Sequence, residues 1–326
     1  MDKDYGLWKF TEDMAGIMQE ELSKEWEGVT CCVYEAKKNN GAVRAGIKVN
    51  LPDKQISPVI YTGDYYDRIK MGDDLDSVME SMEGTVRRML VSAAEKENCG
   101  WNDLSNFEKF RDMLSMRLIN TKANREELKN LPHRTVEDLS LIFTIVTTDE
   151  ERGGMESVKI SYSLMEQWGM KEEELYRAAM ENMGKKEVPV LEDMLSHVQN
   201  SFLGTEGENL LSGTSTEKTG TEFFGILTNG RKMDGAAMLV YPGLMERIRD
   251  MIPGDFYILP SSIHETLILT KDCGMKKEEV ARMVKEINKN VLEREDFLSN
   301  NIYEYDRERG KICRVEMEER QKERER

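Results

Sequence analysis

Apolar residues in this chain come in short stretches whose period switches between two and about 3.6, which limits the fold to interleaved strands and helices. Val43, Ala45, Ile47 and Val49 alternate with Arg44, Gly46, Lys48 and Asn50, the pattern of a strand with one buried face. Leu75, Val78, Met79, Met82, Val86, Met89 and Leu90 instead recur every three or four residues, the pattern of a helix with one apolar stripe. The longest apolar run, Leu139 to Val146, is interrupted by Ser140 and Thr144. It falls far below the ~18 residues that cross a bilayer, so no membrane partner is expected.

Turn residues place these stretches in order. Asn39-Asn40-Gly41 tolerates positive φ and predicts a hairpin between Cys31–Glu35 and Val43–Val49. Phe10, Met14, Ile17, Met18 and Leu22 predict a first helix, and Asp73 or Asp74 caps the helix that starts at Leu75. A second hairpin joins Leu139–Thr147 to a strand carrying Val158, Ile160 and Tyr162 through a turn at Glu150–Gly154. A helix with Leu175, Tyr176, Ala179, Met180 and Met183 on its apolar face follows. A third hairpin pairs Phe223–Thr228 with Ala236–Val240 about Asn229-Gly230. Beyond it the pattern predicts a helix over Leu244–Ile252, strands at Phe256–Leu259 and Thr266–Thr270, a helix over Lys276–Asn290, and a final hairpin at Ile302–Tyr305 and Lys311–Val315.

The expected fold is therefore α+β: antiparallel or mixed sheets built from hairpins and covered by amphipathic helices, in two related units. A weak internal echo supports the relation. Met155-Glu156 leads to Tyr162-Ser163-Leu164-Met165-Glu166, and Met233-Asp234 leads to Tyr241-Pro242-Gly243-Leu244-Met245-Glu246. Residues 204–222, rich in Gly, Ser, Thr and Glu, read as a linker or long loop between a unit at 1–203 and a unit at 223–315. Residues 316–326 form a mixed-charge tail.

Forty-six Lys and Arg against 62 Asp and Glu give a formal charge of −16, which repels phosphate backbones and anionic headgroups. Nucleic acid is not an expected partner. The five cysteines, Cys31, Cys32, Cys99, Cys273 and Cys313, contain no CxxC pair, and the first ten residues lack the apolar core of a secretion signal. A cytoplasmic protein with free thiols is expected. No cofactor is expected: neither glycine-rich phosphate loop occurs, and His133, His197 and His264 lie too far apart in sequence, with no cysteine at ligand spacing, to suggest a metal site.

The densest chemistry lies in Pro260-Ser261-Ser262-Ile263-His264-Glu265-Thr266 between two strands. Ser261 or Ser262 could attack with His264 as base and Glu265 beside them, but that chemistry also needs an orienting third group and an oxyanion site. Neither is visible in the sequence. A zinc helix of the HExxH kind is excluded, because Ile268 stands where the second histidine belongs. Serine caps and a hydrogen-bonded histidine account for the segment more simply. The expected function is binding or interaction without catalysis, with a protein or small ligand as partner; the alternative is a hydrolase-like enzyme with a pocket around Ser262, His264 and Glu265.

Five segments carry a resemblance: LPHRTVEDLSLIFTIV from Leu131, MEQWGMKEEELYRAAMENM from Met165, FFGILTN from Phe223, GAAMLVYPGLMERI from Gly235 and DFYILPSSIHETLIL from Asp255. With Leu298-Ser299-Asn300 and Tyr303-Glu304-Tyr305-Asp306 downstream, the chain resembles, over nearly its whole length, a bacterial family of the domain-of-unknown-function kind. The resemblance implies a bacterial intracellular protein and brings no activity, cofactor or catalytic residue. Residues 204–222 look like an insertion of variable length.

Overall fold

The computed structural model describes residues 4–52, 57–98, 104–149, 154–205, 207–212 and 222–317. The chain divides into two compact units, Met1–Leu104 and Ser105–Arg326. In the first, α1 (Tyr5–Leu22) is followed by strands β1 (Thr30–Lys37), β2 (Val43–Asn50) and β3 (Val59–Tyr61), then α2 (Gly63–Met71) and α3 (Leu75–Asn98). The strands form one antiparallel sheet in the order β1-β2-β3. The Asp4 carboxylate starts α1 by accepting from the Gly6 and Leu7 amides, and Asp74 starts α3 by accepting from Ser77. Met14, Met18 and Leu22 of α1 meet Ile47 and Val49 of β2 and the Val78, Met82, Val86, Leu90 stripe of α3, so the two apolar periods read from sequence close one core.

The second unit begins with α4 (Phe107–Phe110), β4 (Leu114–Asn120), α5 (Arg125–Leu128), β5 (His133–Val136), β6 (Leu139–Asp149) and β7 (Gly154–Lys159). It continues through α6 (Tyr162–Gln167), α7 (Glu172–Lys186), β8 (Pro189–Asp193), α8 (Met194–Leu203) and β9 (Phe224–Asn229). A 3-10 helix (Gly235–Val240), α9 (Leu244–Met251), β10 (Phe256–Leu259), β11 (Thr266–Thr270), α10 (Lys277–Val291), β12 (Tyr303–Asp306) and β13 (Lys311–Arg314) complete it. One antiparallel sheet has the order β4-β6-β5, with β7 also on β6; the other runs β13-β12-β10-β11-β9-β8. Leu139 to Val146 is buried throughout because β6 is the central strand, with neighbours on both edges. Its buried Ser140 hydroxyl pairs with Thr121, 2.8 Å away.

The architecture is α+β with open antiparallel sheets, as the periodicity indicates. Three details of the sequence reading need correction. Ala236–Val240 is not the return strand of a hairpin but part of the 3-10 helix: β9 already pairs with β8 on one edge and β11 on the other, which leaves no edge to fold back on. Residues 204–222 do not separate the compact units, whose division falls at Leu104 and Ser105, because β8 and β9 on either side of that stretch are neighbours in one sheet. Part of the stretch folds back on β8, with Leu211 buried and the Leu210 amide donating to Leu191. Finally, both arms of the internal echo lie in the second unit and differ, one being a strand running into α6 and the other the 3-10 helix before α9. The turn at 150–153, Cys99, residues 213–221 and residues 318–326 lie outside the described residues.

Candidate functional site

Pro260 ends β10, and residues 260–265 cross to β11 under close backbone control. The Leu298 and Ser299 amides donate to the Ser261 and Pro260 carbonyls, the Ile263 amide donates to Asp296, and Ser262 forms an isolated bridge with Phe297. Two stretches of the family resemblance thus lie against each other. Ser261 and Ser262 are buried, and the Ser262 hydroxyl accepts the His264 amide at 3.0 Å, a local turn that fixes the direction of the imidazole. From the other side, Thr228 of β9 donates its hydroxyl to the His264 carbonyl at 2.8 Å.

The His264 ring is held at both nitrogens. Nε2 lies 3.2 Å from Asp296 Oδ1, and Nδ1 accepts the Asp234 amide at 3.2 Å, so the neutral ring carries its proton on Nε2. Asp234 sits in the left-handed region at φ 56, which aims its amide at the ring and its carboxylate the other way, toward Arg117 of β4. Arg117 Nη2 donates to Asp234 Oδ2 at 2.8 Å, and Nε lies 2.7 Å from Oδ1 as a close ion-pair contact without hydrogen-bond alignment. With side-chain exposures of 13% and 5%, the pair is withdrawn from water. A second Arg117 contact reaches Ser157 of β7 at 3.1 Å. The sequence Asp296, His264, Asp234, Arg117 therefore ties the six-stranded sheet and its neighbouring loops to the four-stranded one.

The Asp296 hydrogen bond holds the His264 pKa above its ordinary value of 6.5, against burial, which lowers it; the Asp234 carboxylate adds to the rise and Arg117 subtracts. The Asp234 amide at Nδ1 also works against a second proton, and the net direction is upward. A group whose pKa is higher in the folded than in the unfolded state contributes stability that is full below about 6.5 and is lost as pH rises through the raised value. Thermal unfolding of wild type and Asp296→Asn should therefore differ most below pH 6.5 and converge as the pH rises through the raised His264 value. A gap independent of pH would remove His264 protonation from the account.

The same loop makes two further charged contacts. Arg231 pairs with Glu187 and Lys232 Nζ lies 3.9 Å from Glu192, which also holds His197 Nδ1 at 2.6 Å. Burial pushes the Glu187 carboxyl upward, with Arg231 opposing. Near the C-terminal stretch the Asp138 carboxylate collects the Ser299 hydroxyl at 2.9 Å, the Asn301 amide at 3.0 Å and the Tyr303 hydroxyl. Tyr303 is fully buried there, and burial raises its pKa.

Of the residues singled out in sequence, Ser261 and Ser262 are buried, and Ser262 Oγ is bonded to the His264 backbone rather than to its ring. Arg117, Asp234 and Asp296 were not legible as site residues; only the Asn229-Gly230 turn signal pointed to the loop that delivers Asp234. Among the described residues no three His, Cys, Asp or Glu converge as a metal-ligand group. Cavities of about 350, 460 and 450 Å³ are lined by other residues. No curated protein and no solved structure matches the chain. The model of a family of unknown function, DUF5688, matches residues 7–307, nearly the full sequence, and the chain belongs to that family.

Proposed function

We propose that the protein is a bacterial cytoplasmic binding protein with no catalysis of its own. The observation that carries this reading is the occupation of both His264 ring nitrogens, by Asp296 and by the Asp234 amide, while the Ser262 hydroxyl serves the backbone. A general base needs a lone pair within reach of the proton it takes, and this ring has committed its own. Four cysteines, Cys31, Cys32, Cys273 and Cys313, carry free thiols, which supports a reducing compartment.

The competing hydrolase-like reading around Ser262, His264 and Glu265 draws on the His264–Asp296 pair, since a carboxylate behind an imidazole orients a catalytic base. It requires the Asp234 amide to leave Nδ1 before the ring can act. Chromogenic esters, amides and phosphate esters offered to purified wild type and His264→Ala separate the two readings. Binding without catalysis predicts no turnover above the buffer blank in either protein. Turnover that His264→Ala abolishes while keeping its circular dichroism spectrum would overturn it.

A further inference from the structure

The YPGL turn that starts α9 and the YEY strand β12, both noted in sequence and neither used by the His264 site, meet at one cavity. It measures about 460 Å³, within the range of small-ligand sites. Tyr241, Glu246 and Tyr305 form its half-buried wall, Met245 its buried floor, and Glu137 and Lys311 its exposed lip. We propose that this cavity binds a small organic cation, an ammonium or quaternary ammonium compound, beside the Tyr305 ring and the Glu246 and Glu137 carboxylates. The proposal rests on the binding-protein reading above and names the ligand class.

Two observations carry it, beside one general attraction. A cation held against a phenol ring is attracted by the ring's negative face, and carboxylates alongside supply the countercharge. Glu246 already accepts the Tyr305 hydroxyl at 2.6 Å, which fixes the ring and makes its oxygen and π face richer in electrons. That hydrogen bond also lowers the Glu246 pKa, so the carboxylate is charged at neutral pH.

The site is held in place before a ligand arrives. Glu137 occupies the turn between β5 and β6 in the left-handed region at φ 55, a conformation that costs a non-glycine residue energy. Its neighbour Asp138 holds that turn by three side-chain contacts to Ser299, Asn301 and Tyr303. A preformed wall and an anchored lip reduce the ordering cost of binding. The formal charge of −16 gives the whole molecule a field that draws cations toward it. Lys311 at the lip opposes the ligand, which gives the test a sign that simple packing does not share.

The test compares choline with 3,3-dimethylbutanol, its uncharged isostere, by isothermal titration of the full chain. Choline should bind saturably, weaken as sodium chloride is added, and exceed the isostere by roughly tenfold. Glu246→Gln keeps an acceptor for Tyr305 but removes the charge, and should weaken choline by roughly tenfold. Lys311→Ala, on an exposed side chain, should strengthen it and keeps the test decisive if Glu246→Gln folds poorly. Equal responses to choline and its isostere, no saturable choline binding, or no gain from Lys311→Ala would overturn the cation site. Those failures are distinct from turnover lost in His264→Ala, which would overturn the reading on which the site rests.

Discussion

Arg117→Ala is expected to destabilise the protein by about 3–5 kcal/mol, because it leaves the Asp234 carboxylate buried without its countercharge. In a unit of this size each kcal/mol moves the midpoint by about 2–4 °C, so thermal unfolding should fall by on the order of 10 °C. The loss reports an orphaned charge rather than the net value of the pair. Arg117→Met combined with Asp234→Asn should therefore recover most of it, since Asn tolerates the left-handed backbone and neither new side chain is charged. If the double variant were as unstable as the single one, the hydrogen-bond geometry rather than the charge would hold the two sheets together.

Gly235→Ala is the second large effect expected. A Cβ at this position would overlap the Thr228 hydroxyl and the His264 carbonyl and come within 2.9 Å of the Asn229 amide. Two of those three atoms are backbone, in β9 and in the segment leading to β11, so the methyl cannot be accommodated by turning a side chain. The cost should exceed the about 1–3 kcal/mol typical of an overfilled core, read as a lower midpoint in urea or as insoluble expression. Gly184→Ala in α7 is the control: nothing lies within 4 Å of its Cβ, and removing a helical glycine should raise stability by about 0.5–1 kcal/mol. Near-native stability of Gly235→Ala would mean that the 3-10 helix does not lie against β9 as described.

Elements with a single clean period were legible in the sequence. Phe256–Leu259 and Thr266–Thr270 are strands at those residues, α9 and α10 begin within a residue of where the apolar stripes place them, and the Asn39-Asn40-Gly41 hairpin pairs Cys31 with Val49 and Glu35 with Ala45. What failed was choosing partners. Asn229-Gly230 looks like the turn of a local hairpin, yet β9 takes β8 and β11, and no local rule weighs those competing edges. The site was half legible for the same reason. His264 and its serines are adjacent in sequence, whereas Arg117 reaches Asp234 across 117 residues and Asp296 reaches His264 across 32. An isolated arginine in an alternating strand reads as solvent-facing until the opposing acid is known.

The clasp on Asp138 also orders events in time. Its donors Ser299, Asn301 and Tyr303 lie more than 160 residues downstream of the turn they secure, whereas the first unit closes its core within its own 104 residues. During synthesis at about 5–20 residues per second, that first unit can finish folding while the β5–β6 hairpin waits on the order of 10–30 s for its lock to leave the ribosome. Until β12 is made, the edge of β10 that it covers stands open to wrong pairing, which leaves the nascent second unit in need of protection.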